Sequence, residues 1–114
     1  MTSRFAIFAV SLTMFATSAM ADPIEGMWKR PNGILVKFAA CGSSFCATAE
    51  SGPHAGGNAG KLTPSGDGKY AGTLTDLEAS KTYSGKGSIN GSTLTVAGCI
   101  LGGLFCKSES WTRQ

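Results

Sequence analysis

Four cysteines are the residues of this chain best suited to covalent or metal chemistry. They form two close pairs, with four residues between Cys41 and Cys46 and six between Cys99 and Cys106. Zinc sites are typically built from Cys-x-x-Cys pairs or with nearby histidines, so this spacing argues against a metal site. Paired cysteines are also poor nucleophiles, because the reactive species is the free thiolate. We predict disulfides, with no metal and no cofactor.

The remaining candidates for acid–base chemistry are one histidine and the carboxylates. His54 lies in a glycine-rich stretch, residues 51–59, that predicts a long flexible loop. General-base catalysis needs an imidazole held rigidly beside its nucleophile, which such a loop does not provide. Turn chemistry accounts for Asp67 and Asp76, so a two-carboxylate hydrolase has little support. We therefore predict that the protein is not an enzyme.

The first 21 residues predict a secretory signal peptide. Arg4 gives a positive start, an apolar run follows from Phe5 to about Ala16, and Ala19-Met20-Ala21 fits the cleavage rule. The apolar run is shorter than the ~20 residues that span a bilayer, which disfavours a membrane anchor. Residues 22–114 are then a single domain of 114 − 21 = 93 residues, exported to the bacterial periplasm or secreted. Disulfides persist in such oxidising compartments.

Two arrangements of the cysteine pairs are consistent with export. Local pairs would close two short loops, each contributing at most about 2 to 2.5 kcal/mol, whereas a long-range bond such as Cys41 to Cys99 would contribute about 4 kcal/mol. We favour the local pairs because short loops close fastest. Counting strands nevertheless places both loops at one end of the sheet, so the crossed pairing stays open.

A period of two, rather than 3.6, runs through residues 22–114. Val36 and Phe38 alternate with polar or small neighbours, and so do Leu94 and Val96, as in half-buried antiparallel strands. About eight strands are predicted, near 23–30, 33–40, 46–50, 60–63, 69–75, 81–89, 92–98 and 107–113. Strands joined by hairpins must hide their edges, which predicts an all-β, up-and-down antiparallel barrel, with a two-sheet sandwich as the alternative.

The same alternation raises a problem in the last strand. If Trp111 faces inward, Glu109 faces inward too, and a buried charge must be paired. A β-bulge in this strand would remove the conflict by changing the register.

The charge distribution disfavours nucleic acid as a partner. Without Arg4, nine Lys and Arg (10 − 1) oppose seven Asp and Glu, a net charge of +2. The positive residues are scattered along the strands rather than clustered with aromatic residues, as a nucleic-acid interface would require. No membrane span is expected after signal cleavage.

Five short motifs occur in order along the chain. They are Gly26-Met27-Trp28, Cys41-Gly-Ser-Ser-Phe-Cys46, Asp67-Gly68-Lys69-Tyr70, Lys81-Thr82-Tyr83-Ser84-Gly85, and Gly98-Cys-Ile-Leu-Gly-Gly-Leu-Phe-Cys106 with Trp111-Thr112-Arg113. In these motifs the chain resembles the DUF2147 family of small exported bacterial proteins. The resemblance implies a lipocalin-like (calycin-like) fold with no assigned function. It also implies that Trp28 closes one barrel end beneath Arg113, with Arg30 as a rival cation.

Departures from the family pattern concern two places. Leu77 and Ser80 stand where that pattern has an Asp-Pro turn with a later glycine, so this turn is expected to differ. The segment after Cys46 carries Ala47 and Ala49 instead of larger apolar residues, which predicts a thinner wall or a wider mouth on that side.

Two hypotheses for function follow. The first is a carrier whose interior binds a small hydrophobic molecule, with Gly85 and Gly87 leaving room in the wall. Its candidate lining residues are Trp28, Phe38, Tyr70, Tyr83 and Trp111. The second is an envelope interaction module or a hydrolase inhibitor that presents an apolar loop to a protein partner. That candidate contact loop contains Ile100, Leu101, Leu104 and Phe105, which could instead plug the barrel.

Overall fold

A computed structural model describes residues 22–114, so the predicted signal peptide, residues 1–21, lies outside the described residues. Eight antiparallel strands, each paired with the next, close into a barrel through pairing of the first with the last. The strands are β1 (Gly26–Lys29), β2 (Leu35–Cys41), β3 (Ser44–Ala49), β4 (Asn58–Gly66), β5 (Lys69–Asp76), β6 (Lys81–Asn90), β7 (Thr93–Ile100) and β8 (Phe105–Arg113). This confirms the predicted all-β barrel, and the sandwich alternative is wrong.

Strand boundaries differ most from the prediction in β4, which extends to Gly66 although it contains Pro64. A register shift between Pro64 and Gly66 accommodates the proline, which lacks the N–H that a regular ladder would use. Before β4, the connection expected to be a long flexible loop is folded back on itself. Gly56 N–H donates to Ala49 O at 2.7 Å, and Ala49 N–H donates to Gly57 O at 2.9 Å. Within residues 22–114, no helix is long and apolar enough to cross a membrane.

Inward-facing apolar side chains form a single core, as the period-two pattern requires. The core residues are Ile24, Trp28, Val36, Phe38, Ala47, Leu62, Tyr70, Leu94, Val96 and Trp111. Gly85 and Gly87 do not leave room in the wall, contrary to our expectation. A Cβ at Gly85 would lie 2.7 Å from Leu74 Cγ, and one at Gly87 would lie 3.2 Å from Leu62 Cδ1. These glycines instead let leucine side chains from other strands approach the backbone closely.

One end of the barrel, hereafter the closed end, is covered by the segment before β1. Ile24 is fully buried there, and its carbonyl accepts a hydrogen bond from Trp28 Nε1 at 2.8 Å. Arg113 Nη1 donates to Glu25 O at 2.9 Å, and its guanidinium lies 4.2 Å from the centre of a Trp28 ring. Gly26 has φ +114°, and a Cβ there would lie 3.0 Å from Arg113 Nη1, so the glycine makes room for the guanidinium.

The Tyr70 hydroxyl fixes the start of the same segment by donating to Asp22. Burial, followed by this hydrogen bond to Asp22, raises the pKa of Tyr70 well above its ordinary value. The phenol therefore stays protonated through the physiological pH range and remains a donor to the carboxylate.

Both disulfides are local, Cys41–Cys46 and Cys99–Cys106. The expectation that the two loops share one end of the sheet is wrong. Five strands, β3 to β7, separate the loops, and connections in an up-and-down barrel alternate between ends. The Cys41–Cys46 loop therefore lies at the closed end and the Cys99–Cys106 loop at the opposite end, hereafter the open end, which leaves no crossed pairing.

Removing the open-end disulfide is expected to destabilise the barrel modestly. The Cys99→Ala/Cys106→Ala double variant frees a loop with a sequence separation of 7. Such short loops give at most about 2 to 2.5 kcal/mol in the chain-entropy picture. Urea unfolding of this variant and of Cys41→Ala/Cys46→Ala, with a separation of 5, should give losses of similar size. A decrease of more than about 4 kcal/mol in the free energy of unfolding is the value expected for a long loop. Such a decrease would contradict the explanation that these disulfides act by closing a short loop.

Candidate functional site

A cavity of about 580 Å³ lies at the open end of the barrel. Its wall combines apolar residues with polar and charged ones. The apolar residues include Val36, Ala49, Leu74, Tyr83, Val96 and Trp111, and the charged residues are Arg30, Asp76, Glu78, Lys107 and Glu109. Of the five candidate lining residues, Tyr83 and Trp111 therefore contact the cavity. Trp28, Phe38 and Tyr70 do not line it, because they pack in the core on the side of the closed end, where Ile24 fills the interior.

Small residues on the wall make space for the cavity. Ala49 on β3 lines it, in agreement with the wider mouth expected from the alanines after Cys46. Gly98 on β7 faces Tyr83, and a Cβ at this glycine would lie 3.4 Å from Tyr83 Cβ. Sequence reasoning assigned this role to Gly85 and Gly87, whereas Ala49 and Gly98 are the small residues that border the cavity.

The barrel seam between β1 and β8 is short on the side of the open end. β8 pairs with β1 only at Thr112 and Arg113, since β1 ends at Lys29. Beyond that point Arg30 reaches Glu109 with two hydrogen bonds, from Nε at 3.0 Å and from Nη2 at 2.9 Å. This bidentate ion pair connects the β1–β2 turn to β8 where the backbone pairing has stopped.

Glu109 is half-buried and paired, as an inward-facing charge requires, and the alternative of a bulge in β8 is wrong. The β7–β8 register runs without a shift from Thr93–Thr112 to Ile100–Phe105. Glu109 Oε1 also accepts a hydrogen bond from Trp111 Nε1 at 2.8 Å. The hydrogen bonds from Arg30 lower the pKa of Glu109 below its ordinary value, and the carboxylate raises the pKa of Arg30.

Arg30 is therefore not the cation that covers Trp28. Its guanidinium lies 5.8 Å from the centre of a Trp111 ring, on the cavity side, while Arg113 covers Trp28. The alternation placed Arg30 on the same face as Trp28, and the family resemblance placed Arg113 there. The pairing of β1 with β8 decides that Arg113 is the cation that reaches Trp28.

Replacing Glu109 by glutamine is expected to lower stability by about 1 kcal/mol at neutral pH, because partly exposed pairs are screened by solvent. Because the folded pKa is lowered, the charge contributes its full stability above the ordinary pKa of a glutamate, and this contribution is lost as pH falls through the folded pKa. Urea unfolding from pH 3 to 7 should therefore show a smaller pH dependence in Glu109→Gln than in the wild type. Identical curves for the two proteins would show that the ion pair adds nothing to stability.

The candidate contact loop is exposed and does not plug the barrel. Exposed fractions are 46% for Ile100, 69% for Leu101, 73% for Leu104 and 59% for Phe105. A short 3₁₀ turn, Leu101–Gly103, forms its tip. Ile100 and Phe105 also line the cavity, so the loop and the cavity share one apolar surface.

At the rim of the cavity, the carboxylate of Asp76 stabilises the turn between β5 and β6. Asp76 Oδ1 accepts from the N–H groups of Glu78 and Ala79 at 3.0 and 3.2 Å, as in an Asx turn. Ser80 adopts φ +52° in this turn, where the family pattern would supply a glycine.

His54 is exposed at the cavity rim. Across the part of the chain that the structure describes, no three His, Cys, Asp or Glu residues group as metal ligands.

Sequence reasoning missed the segment that covers the closed end. It assigned residues 23–30 to a strand, whereas β1 begins at Gly26. A signal for this was present in Asp22-Pro23, a pair that favours turns. Asp22 Oδ1 accepts the Ile24 N–H at 3.0 Å, which turns Ile24 into the interior.

A protein-family model described as "Uncharacterized protein conserved in bacteria (DUF2147)" matches residues 56–113. The match contains 113 − 56 + 1 = 58 of the 114 residues and extends from the loop before β4 to the end of β8. Three of the five motifs lie inside it, and Gly26–Trp28 and Cys41–Cys46 lie outside. No curated protein and no solved structure matches the chain. On the family match, this chain belongs to the DUF2147 family of conserved bacterial proteins.

Proposed function

We propose that this barrel is an exported carrier that binds a small, uncharged hydrophobic molecule in the open-end cavity, without catalysing a reaction. The observation that carries the proposal is the cavity itself. Its volume of about 580 Å³ falls within the ~300 to 1,000 Å³ typical of small-molecule sites. Its wall combines aliphatic side chains with the rings of Tyr83 and Trp111.

Charge on the wall supports an uncharged ligand. Arg30 and Glu109 neutralise each other, and Trp111 Nε1 donates to the same carboxylate. A charged ligand group placed beside this pair would compete with it and lose its own hydration. Lys107, Asp76 and Glu78 also line the cavity, but they are exposed and keep their own hydration. The Tyr83 phenol gives the cavity wall a further polar group.

The proposal that the protein is exported rests on the sequence of residues 1–21, and the disulfide bonds of the four cysteines agree with it. Two disulfides fit an oxidising compartment, and the family is bacterial. We place the mature barrel in the periplasm or outside the cell. Sequencing the N-terminus of protein recovered from the periplasm should give Asp22 as the first residue, and material that retains Met1 would contradict export by this signal.

Binding can be tested with matched ligands that differ in charge. The neutral fluorophore N-phenyl-1-naphthylamine should bind with a dissociation constant on the order of 0.1 mM, given ~0.3 kcal/mol per non-hydrogen atom. Decanol should displace it more strongly than decanoate or decylammonium. No fluorescence enhancement, and no change in melting temperature with any of these compounds, would overturn the carrier proposal.

The exposed contact loop supports a second candidate function, contact with another component of the cell envelope. The observation in its favour is that four large apolar side chains face solvent on a loop closed by the Cys99–Cys106 disulfide. The Leu101→Asn/Leu104→Ser variant should weaken such contact without changing the cavity, because neither leucine lines it. Unchanged fractionation of this variant between soluble and envelope fractions would contradict the second candidate.

A further inference from the structure

We propose that the contact loop, Gly98 to Cys106, docks on a lipid surface by inserting Leu101 and Leu104 into the interface. This inference rests on the second candidate function and names what the loop contacts. The nine residues of the loop contain no charged side chain. The four large apolar residues among them are between 46% and 73% exposed.

The backbone at the tip argues that the leucines do not serve folding. Leu101, Gly102 and Gly103 have successive positive φ values of 53°, 67° and 92°. For a residue with a side chain, this region is unfavourable, and asparagine or glycine would adopt it more readily. Leu101 nevertheless occupies it while 69% exposed. Strain without burial points to a role in contact with something outside the barrel.

The tip of the contact loop is also held in place by the hairpin that carries it. β7 and β8 continue as a hairpin to the Ile100–Phe105 pair, and the disulfide joins the directly opposed Cys99 and Cys106. On its other side, β8 has no β1 partner before Thr112. The backbone of the hairpin is therefore held up to the tip by strand pairing and the disulfide, which reduces the entropy lost on docking.

The exposed apolar area of the contact loop favours a lipid surface over a second protein as its partner. Four partly exposed side chains amount to a few hundred Å² of apolar surface, whereas a stable protein interface buries about 800 Å² on each partner. A small uncharged tip suits insertion into the boundary between headgroups and acyl chains, which needs no matching shape. Such insertion reaches about 5 to 10 Å deep.

The charges near the tip are mixed and contribute little to docking. Lys107 is exposed and lies two residues after Phe105 on the same face of β8, roughly 7 Å along the strand. When the tip is inserted, this ammonium lies at the depth of the lipid phosphates. Asp76 and Glu78 lie on the neighbouring β5–β6 turn at the same end, so docking depends mainly on the apolar tip and only weakly on anionic lipid.

Vesicle flotation tests the inference with the whole folded domain. Wild-type protein should float with phosphatidylcholine vesicles, and somewhat more when one quarter of the lipid is phosphatidylglycerol. The Leu101→Asn/Leu104→Ser variant should lose at least tenfold in partitioning to both, with an unchanged melting temperature. Ala40→Ser, an exposed change near the closed end, should bind as the wild type does.

The depth to which the tip inserts into the lipid gives a second measurement. Brominated lipids should quench the indole of Leu104→Trp, whereas that of Ser92→Trp, in the turn at the closed end, should show no added quenching. The inference fails if the wild type binds neither vesicle, or if the double variant binds as well as the wild type. It also fails if the tip mediates self-association instead, seen as a dimer by light scattering that the double variant abolishes. None of these three results bears on cavity binding, because N-phenyl-1-naphthylamine titration of the double variant reports on the cavity separately.

Discussion

Replacing Trp28 by alanine is expected to lower the free energy of unfolding by about 3 to 5 kcal/mol, the range for large-to-small changes at buried aromatic residues. Trp28 is fully buried, and the change removes its hydrogen bond to Ile24 O at 2.8 Å. It also leaves the Arg113 guanidinium without the ring 4.2 Å beneath it. A domain of this size has only about 5 to 14 kcal/mol in total, so much of its stability should be lost.

Urea unfolding followed by far-ultraviolet circular dichroism measures this effect. Trp28→Phe is the matched control, because it keeps an aromatic ring and should lose about 1 to 2 kcal/mol, chiefly through the missing indole N–H. Met27→Ala, on the opposite face of the same strand, should lose less than Trp28→Ala. If Trp28→Ala unfolded at the same urea concentration as Met27→Ala, Trp28 would not be the side chain that secures the closed end.

Filling part of the cavity should weaken ligand binding while leaving the barrel folded. Gly98→Leu places a side chain on the inner face of β7, where a Cβ would only make ordinary contact with Tyr83 at 3.4 Å. The added atoms occupy space that a ligand would need, so affinity for N-phenyl-1-naphthylamine should fall at least about tenfold, equivalent to ~1.4 kcal/mol.

Ala97→Leu is the control for this variant, because it enlarges the adjacent residue on the outer face of the same strand. Its affinity should equal that of the wild type. Ala49→Leu approaches the cavity from β3 and should reproduce the effect of Gly98→Leu. Equal fluorophore affinity in Gly98→Leu, Ala97→Leu and the wild type would place the binding site outside the cavity.

The sequence allowed the barrel to be predicted because strand periodicity is local. Alternation in residues such as Val36, Phe38, Leu94 and Val96 is visible within a few positions, and each of these side chains is buried. The alternation also places Glu109 inward, and an inward-facing carboxylate needs an ionic partner. That partner, Arg30, is 79 residues away in the chain, and only the closure of β1 against β8 brings the two together.

The division of the interior into core and cavity was not predictable from local pattern. Phe38 and Trp111 both face inward, with ring centres 6.3 Å apart, yet only Trp111 lines the cavity. Which inward residues pack in the core depends on Ile24 folding over the closed end and on register across all eight strands. The opposite positions of the two disulfide loops, in contrast, already follow from the eight predicted strands, because five of them separate the loops.

Native mass spectrometry of barrel purified gently from the periplasm tests the carrier proposal most directly. Wild-type protein should carry a small molecule as additional mass, and Gly98→Leu, prepared in parallel, should carry it in a smaller fraction of molecules. Wild-type protein found only at the mass of its own chain, with both disulfides formed, would contradict the account if N-phenyl-1-naphthylamine and decanol also failed to bind it.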